Sequence, residues 1–230
     1  LSPQILSGYD ITVVQEVRDT DLSAVRKLMD QLNSVSPHPY SFLDSIPLGR
    51  TSYKEQYLFI YRSDMVSVLG SYYYDDGCES CGTDTFSREP FIVKFSSPTT
   101  QVEQFVMVPL HSEPSSAADE IDALYDVYTD VVNKLPPRQG LTAACPAEVE
   151  QFVMVPLHSE PSSAADEIDA LYDVYTDVVN NIVACGTALR KDIEPGSATV
   201  NNFQKTFHLQ SKDALAVSDH FPVEVTLKAR

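Results

Sequence analysis

The sequence contains one stretch twice: residues 102–133, VEQFVMVPLHSEPSSAADEIDALYDVYTDVVN, recur letter for letter at residues 149–180. Structural repeats that are held together by packing drift in sequence and keep only their apolar pattern. Identity at the exposed positions therefore indicates a recent duplication or an error of gene assembly. Each copy predicts one strand followed by one helix, and this unit constrains how the second half of the chain can fold.

The first copy shows how the unit is built. Apolar residues at 105–110 predict a strand, and the pattern from Ser116 to Asp119 is typical of a capping box at the start of a helix. His111 and its duplicate His158 each follow a predicted strand, where α/β proteins often place reactive side chains, although a lone histidine there is more often structural. The residues predicted to share the buried helix face are Ile121, Leu124, Tyr125, Tyr128 and Val132.

The other segments alternate between strand and helix patterns. A β-rich apolar run covers residues 9–17, and apolar positions in 22–32 repeat at helical spacing after candidate caps at 19–21. Residues 36–51 are rich in proline, serine and glycine and predict a loop. This alternation favours an α/β sandwich. Further strands are predicted at 57–61, 65–69, 91–95, 151–157, 181–186 and 221–227, and a linker at 134–148.

Length and composition fit a single domain over residues 1–230. Of the 230 residues, 43% are hydrophobic, so the chain can bury a sizeable core. It has neither an apolar run of about 18 residues nor a basic segment followed by an apolar one, so we expect no membrane span. Because the sequence begins at Leu1 and not at methionine, we expect a mature or amino-terminally truncated piece.

The charge balance limits the classes of partner. With 33 acidic against 16 basic residues, the formal net charge is −17 at pH 7. A broad electrostatic grip on nucleic acid needs a stripe of lysine and arginine, which this composition disfavours. A phosphodiester substrate would therefore have to be bound through divalent metal ions and a few placed arginines.

Two cysteines, Cys78 and Cys81, lie close together in the sequence CESC. A small-loop disulfide is the preferred interpretation and implies an oxidising compartment, while metal binding and redox chemistry stay open. The turn is surrounded by carboxylates on a glycine-bearing loop, which suit a hard cation such as Ca²⁺. A solvated acidic loop is the alternative, since the spacing is not that of an EF-hand. These carboxylates are Asp75, Asp76, Asp84 and Glu89.

Six acidic and histidine side chains lie at the ends of predicted strands or in adjoining loops. Histidine beside a carboxylate is what general acid and base catalysis near neutral pH requires, and acidic residues at sheet ends can hold Mg²⁺. No GxSxG, HExxH, P-loop or GxGxxG motif is present, which disfavours serine hydrolases, zincins and nucleotide-binding folds. The six candidates are Glu16, Glu55, His111, His158, Asp219 and His220.

Several long motifs resemble the deoxyribonuclease I family, and the resemblance covers nearly all of the chain except residues 134–148. They are QEVRD at 15–19, PLGRTSYKEQYLFIYR at 47–62, YDDGCESCGTDTFSREP at 74–90, LHSEP at 110–114, EIDALYDVY at 120–128 and SDHFPVEVTL at 218–227. The resemblance implies two packed β-sheets flanked by helices, an endonuclease/exonuclease/phosphatase-like sandwich, here in an incomplete form. It also implies a secreted endonuclease that depends on Ca²⁺ and on Mg²⁺ or Mn²⁺ and cuts DNA to 5′-phosphorylated products. We expect a monomer.

The resemblance further implies roles for individual residues. Glu55 and His111 would form one catalytic carboxylate–histidine pair, and His220 would be the second catalytic histidine. Glu16 and Asp219 would bind the catalytic metal ion. The side chains expected to contact DNA are Arg18, Arg50, Tyr53 and Arg88. The calcium site beside the Cys78–Cys81 bridge would consist of Asp76, Asp84, the carbonyl of Phe86 and Glu89.

Three parts of the family pattern are missing from this sequence. They are the GDFNADC segment with its metal- and phosphate-binding side chains, the CAYDR segment with the aspartate that orients the second histidine, and the first strand with its metal-site asparagine. We expect strand 151–157 to occupy the sheet position of the GDFNADC strand, with His158 where oxygen ligands belong. Because Mg²⁺ prefers oxygen ligands, we expect a weakly active or inactive enzyme. In the family, the cysteines of the GDFNADC and CAYDR segments form a long-loop disulfide. A replacement bridge between Cys145 and Cys185 is possible here but is not the favoured interpretation.

Of the two repeated histidines, we assign catalysis to His111, because the first copy continues the family-like run without interruption. A second class of function stays open: a non-catalytic paralogue that binds DNA or a protein partner such as actin. The sequence leaves actin binding undecided, since Phe42, Leu43 and Asp44 fall in a variable loop. A third possibility is that the gene is mispredicted around the duplication.

Overall fold

The computed structural model describes residues 2–134, 153–158, 178–179, 182–185 and 187–230. Two β-sheets pack against each other, and helices cover their outer faces. The predicted α/β fold with two packed sheets flanked by helices is confirmed.

The first sheet has three antiparallel strands, β1 (Ile11–Val17), β2 (Tyr40–Asp44) and β3 (Gln56–Arg62), in the order β1-β3-β2. The prediction of a continuous loop over residues 36–51 is wrong, because β2 pairs along its whole length with β3. It is an edge strand that begins directly after the proline- and serine-rich segment, so the flanking turn composition outweighed a short strand pattern.

Among the described residues, the second sheet has seven strands, which include strands from both copies of the repeat. The strands are β4 (Ser67–Tyr73), β5 (Phe91–Ser96), β6 (Gln104–Met107), β7 (Leu110–His111), β8 (Val153–His158), β9 (Val178–Val179) and β10 (Ile182–Cys185). Their order is β4-β5-β6-β8-β10-β9, and β7 also pairs with β8. Strand β7 ends at His111, the predicted catalytic histidine.

The duplicated strands lie side by side. Strand β8 runs parallel to β6 and β7, and every paired residue faces its own duplicate, as in Val106 with Val153 and His111 with His158. The predicted strand of the second copy is therefore confirmed, with the bounds Val153–His158. That it takes the sheet position of the GDFNADC strand stays a prediction.

Strand alternation explains how one sheet serves two cores. In β3, Tyr57 and Phe59 point to the interface between the sheets, whereas Leu58 and Ile60 point to the helices on the other side. Phenylalanines fill the interface, with ring centroids 5.6 Å apart between Phe59 and Phe95. Truncating a buried phenylalanine of this kind to alanine costs about 3–5 kcal/mol of unfolding free energy.

Two helices cover the first sheet, α1 (Ser2–Leu6) and α2 (Ser23–Val35). The predicted amphipathic helix is confirmed, because Val25, Met29 and Leu32 are buried in α2. The Asp19 carboxylate accepts a hydrogen bond from the Val25 N–H at 2.8 Å, which satisfies a free donor in the first turn.

The helix of the first copy forms in two pieces, α3 (Ala117–Asp122) and α4 (Leu124–Lys134). The two pieces meet at Ala123, and Ile121, Leu124, Val127 and Val131 face the core. The prediction for Tyr125 is wrong, since this residue is 59% exposed. Ser116 precedes α3 as predicted but does not cap it; its hydroxyl donates instead to Glu120 at 2.8 Å.

The carboxyl-terminal part contains short helices and two short strands. Its elements are α5 (Thr187–Asp192), β11 (Thr199–Val200), α6 (Phe203–Thr206), α7 (Ser211–Leu215) and β12 (Val223–Glu224), and β11 pairs with β12 in a separate two-stranded sheet. The predicted terminal strand 221–227 is shorter than expected, and beyond β12 isolated bridges join Leu227 to Ile193 and Ala229 to Thr100. None of the helices in the described part of the chain is long and apolar enough to span a membrane. The predicted linker 134–148 and the proposed bridge from Cys145 lie outside the described residues, apart from Lys134 at the end of α4.

Candidate active site

The centre of the site is His111, the last residue of β7. Its Nδ1 atom lies 2.7 Å from Oε2 of Glu55, and the side chains are only 14% and 4% exposed. Glu55 is held just before β3 by a backbone bridge with Leu48, with N···O distances of 2.7 and 2.9 Å. The structure thus brings together the carboxylate–histidine pair that the sequence predicted.

Arg88 completes this centre. Its Nε lies 2.8 Å from the same Glu55 oxygen, and its Nη1 donates to the His111 carbonyl at 3.2 Å. The Nε–H does not point along the line to Glu55, so that contact is an ion pair and not a directed hydrogen bond. The guanidinium is 11% exposed and also lies 3.8 Å from Glu113. Arg88, predicted to contact DNA, is therefore placed as a largely buried support of Glu55 and His111; its contact with DNA stays a prediction.

The backbone on either side of His111 is also fixed. The His111 N–H donates to the Tyr57 hydroxyl at 3.0 Å, and the Gln15 side-chain amide donates to the Leu110 carbonyl at 3.0 Å. Burial raises the pKa of Tyr57 above its ordinary value, so this phenol remains neutral. These bonds fix the backbone that carries the imidazole.

Glu16 approaches the imidazole from β1. The pairing of β1 with β3 is interrupted between Val14 and Val17, and Glu16 adopts a left-handed backbone with φ 59°. Bulges re-aim side chains, and a left-handed non-glycine residue is an uncommon conformation that often marks a functional site. The bulge places Glu16 Oε1 3.7 Å from His111 Nε2. The irregularity thus brings a third predicted residue to the same ring.

This geometry determines which ring nitrogen carries the proton. A carboxylate accepts hydrogen bonds and cannot donate, so Glu55 fixes the proton on His111 Nδ1. The Nε2 atom then carries the lone pair and faces Glu16, whose side chain is 44% exposed. The ring can accept a proton at Nε2 while Glu55 stabilises the resulting imidazolium.

The second predicted pair differs in setting. His220 Nδ1 lies 3.0 Å from Oδ1 of its neighbour Asp219, and the backbone N–H of His220 donates to the Ser218 hydroxyl at 3.0 Å. The two side chains are 56% and 78% exposed. The pair is therefore formed by local contacts in the turn before β12.

The predicted DNA-contacting residues fall into two groups. The Arg18 guanidinium stacks 4.0 Å above the ring of Tyr53, which is 45% exposed. Arg50 is engaged within the protein, because its Nε lies 2.8 Å from Asp84 and its Nη2 donates to the carbonyls of Asp84 and Thr85. Arg18 and Tyr53 thus present an accessible cationic and aromatic surface.

The acidic loop contains a disulfide between Cys78 and Cys81, which confirms the preferred interpretation of CESC. Asp76 Oδ2 accepts from the N–H groups of Thr85 and Phe86 at 2.9 and 2.6 Å. With Asp84 held by Arg50, two of the predicted calcium carboxylates have internal partners. Asp84, Phe86 and Glu89 nevertheless line one cleft.

The arrangement does not by itself form a metal centre. Among the described residues, no three Asp, Glu, His or Cys side chains are grouped so that they could hold a metal ion. The metal-binding roles that the resemblance assigns to Glu16, Asp219 and the carboxylates of the acidic loop stay predictions.

Sequence reasoning missed two residues that support this site. Gln15 and Tyr57 bond to the backbone of Leu110 and His111, which lie far away in the chain, and no local pattern marks such contacts. Gln15 begins the family-like motif QEVRD, and Tyr57 lies within PLGRTSYKEQYLFIYR. Their positions next to Glu16 and close to Glu55 were the available signal.

Comparison with known proteins identifies the family. The pattern of the Endonuclease/Exonuclease/phosphatase family matches residues 3–178. Deoxyribonuclease-1 of Gallus gallus is 64% identical over 98% of this chain and 83% of that protein. Deoxyribonuclease-1 of Canis lupus familiaris is 49% identical over 98% of this chain and 82% of that protein.

A solved structure shows the same fold at low identity. The endonuclease/exonuclease/phosphatase from Bacteroides vulgatus superposes with a TM-score of 0.57 at 14% identity, covering 99% of this chain and 89% of that one. The two packed sheets and the buried carboxylate–histidine pair are consistent with these similarities, which extend over nearly the whole chain. The chain therefore belongs to the endonuclease/exonuclease/phosphatase family and, within it, to the deoxyribonuclease I family.

Proposed function

We propose that this chain is an endonuclease that hydrolyses DNA phosphodiester bonds and leaves 5′-phosphorylated products. The observation that carries the proposal is the buried centre of Glu55, His111 and Arg88, in which two contacts of 2.7 and 2.8 Å converge on one carboxylate oxygen. The relatives named deoxyribonuclease-1 support DNA as the substrate.

Each residue of this centre has a role in the proposed reaction. His111 Nε2 exchanges a proton with the attacking water or with an oxygen of the reacting phosphodiester. Glu55 keeps the ring in one tautomer and stabilises its positive charge, and Arg88 fixes Glu55 and the His111 carbonyl. Because the ring is held in advance, little reorganisation is needed when the proton moves.

The test is nicking of a supercoiled plasmid by the wild-type chain and by His111→Ala. We expect the variant to lose activity by about 10²–10⁴-fold, the range for a general acid–base residue. His38→Ala is the matched control, because His38 also lies 2.8 Å from a carboxylate, Asp64, but on the exposed surface. Equal rates for wild type and His111→Ala would exclude this centre as the site of hydrolysis.

We also propose that hydrolysis depends on divalent cations. Glu16 and Asp219 are the carboxylates that would hold Mg²⁺ or Mn²⁺, which would supply positive charge to the phosphoryl group. The calcium site would be formed by Asp76, Asp84, the Phe86 carbonyl and Glu89, and the shared cleft of the last three supports it. A chelator should abolish nicking, and added Ca²⁺ should raise the melting temperature of the chelated protein if the calcium site exists.

The proposed DNA contacts are Arg18 and Tyr53, with Arg50 and Arg88 as further candidates. A stacked guanidinium and ring, 4.0 Å apart and accessible, can meet a phosphate and the edge of a sugar or base. Arg18→Ala should weaken DNA binding at low salt and reduce the dependence of binding on salt concentration. An unchanged salt dependence would remove Arg18 from this surface.

We further propose that turnover is lower than in a relative with the complete family pattern. The proposal is based on the missing GDFNADC and CAYDR segments, whose carboxylate and amide groups the sequence does not replace. Side-by-side nicking rates for this chain and deoxyribonuclease-1 of Gallus gallus test this proposal, and equal rates would refute it.

We also propose that the protein is secreted. The disulfide between Cys78 and Cys81 supports secretion into an oxidising compartment.

A further inference from the structure

A buried carboxyl group lies behind the active centre. Glu120, in α3, has 0% exposure, and its Oε1 atom receives three donors. The Ser116 hydroxyl donates at 2.8 Å, the Ser87 N–H at 3.3 Å and the Glu113 N–H at 3.4 Å. One oxygen atom thus joins three separate positions of the chain.

Two of these donors belong to the segments that carry active-site residues. Ser87 immediately precedes Arg88, and Glu113 follows His111 by two positions. On the other side of the same segments, Arg88 Nη1 donates to the His111 carbonyl at 3.2 Å. The segments are therefore linked twice, once through the guanidinium and once through Glu120.

The stability of the fold alone does not explain why a carboxyl group occupies this buried position. Its second oxygen, Oε2, has no hydrogen-bond partner in the described part of the chain. Burial raises the pKa of Glu120, which shows that the environment disfavours its charge. An unsatisfied buried polar atom costs about 1–3 kcal/mol, so a well-packed apolar side chain would stabilise the fold at lower cost.

We propose that Glu120 is a positioning residue, which holds the Ser87–Arg88 segment and the segment after His111 at a fixed separation. Losing its Oε1 acceptor frees two backbone N–H groups, so Arg88 and His111 shift relative to each other. A displacement of about 1 Å at such a site can cost about 10²-fold in rate. The rate effect rests on the proposed nuclease function, whereas the positional effect does not.

The experiment compares Glu120→Ala, Glu120→Gln and Asp192→Ala. The glutamine oxygen can accept the same three hydrogen bonds, so this variant should rescue the alanine defect. Asp192 is the matched control, because it is 1% exposed, one oxygen accepts the Val102 N–H at 3.1 Å, and the other has no partner in the described residues. Asp192 ends α5, and Val102 belongs to neither of the two segments that Glu120 joins. Both alanine variants should therefore lower the melting temperature.

Plasmid hydrolysis per folded molecule gives the first readout. We expect Glu120→Ala to lower kcat by about 10²-fold with little change in KM, while Glu120→Gln and Asp192→Ala keep the wild-type kcat. The inference is overturned if Glu120→Ala keeps the wild-type kcat and loses only thermal stability, or if Glu120→Gln is equally slow.

The ring-proton resonance of His111 by NMR gives a second readout that needs no activity. The resonance should move in Glu120→Ala and stay in place in Glu120→Gln and Asp192→Ala. If the wild-type chain cuts no DNA, the proposed function fails, but this resonance still decides the role of Glu120. An unmoved resonance in Glu120→Ala overturns the inference.

Discussion

Both predicted catalytic histidines lie next to a carboxylate, and the surroundings of the two pairs differ. The Glu55–His111 pair joins residues from β7 and the start of β3, with side chains 4% and 14% exposed. The Asp219–His220 pair joins adjacent residues of one turn, with side chains 78% and 56% exposed. The first pair can form only when the two sheets have packed, whereas the second joins two neighbours in the sequence at an exposed position.

The difference shows how much of a catalytic pair is supplied by its supports. The Tyr57 hydroxyl and the Arg88 guanidinium hold the backbone of His111, and Glu55 and Glu16 lie against its ring nitrogens. A contact at the surface loses most of its value to solvent screening and to side-chain freedom. We therefore expect the two pairs to respond very differently to the same change of carboxylate to amide.

The largest effect is expected for Glu55→Gln. The amide keeps the volume but removes the charge that holds the His111 tautomer, and the comparable change in serine proteases costs about 10⁴-fold in turnover. The nicking rate of a supercoiled plasmid measures the loss. A rate within a factor of ten of wild type would show that the buried pair has no special role.

The next largest effect is expected for Arg88→Met, as a loss of unfolding free energy. The substitution leaves Glu55 buried without its cation, and breaking a buried ion pair costs about 3–5 kcal/mol of unfolding free energy. Urea unfolding measures the change. Lys134→Met is the control, because Lys134 pairs with Asp130 on the surface, with the lysine 51% exposed, and such a pair contributes at most about 1 kcal/mol. Equal losses would contradict the buried character of the centre.

A smaller effect is expected in the pH dependence of stability. The pKa of Glu120 is raised by burial, so the folded state binds this proton more tightly than the unfolded state. Its contribution is therefore greatest at acidic pH and falls as the pH rises above 4.5, the ordinary value. The difference in unfolding free energy between Glu120→Gln and wild type should move in favour of the variant over this range. A difference that is constant with pH would argue against a buried titrating group.

The smallest effect is expected for Asp219→Asn. Because Asp219 is 78% exposed and pairs with its own neighbour, the unfolding free energy should change by no more than about 0.5 kcal/mol. Urea unfolding under the conditions used for Arg88→Met gives the comparison. A loss of several kcal/mol would mean that the second pair is as firmly embedded as the first.

The sequence allowed the residues of the site to be predicted better than their supports. Glu55 and His111 lie in long motifs that resemble one family, so the sequence alone predicts that they pair. Tyr57 accepts a hydrogen bond from His111, and Glu120 accepts one from Ser87; these partners are distant in sequence, and no periodic pattern marks such bonds. The engagement of Arg50 by Asp84 is likewise a tertiary contact between two loops.

The fold was predictable in its class and less so in its details. Apolar runs marked β1, β3 and β5, and helical spacing marked α2. The edge strand β2 was hidden by the loop composition beside it, and Tyr125, which fits the helical spacing, is exposed while Val127 and Val131 are buried. Which helix face is buried and where an edge strand pairs depend on what packs against them, which a single local window of sequence does not contain.

The most direct test of the account is a double-mutant cycle between Glu55 and His111, measured as the plasmid-nicking rate. If Glu55 acts through the imidazole, the double variant Glu55→Gln, His111→Ala should be no slower than His111→Ala alone, because the two residues act as one unit. Fully additive losses would show that Glu55 and His111 contribute independently, and the account of a single preorganised centre would be contradicted.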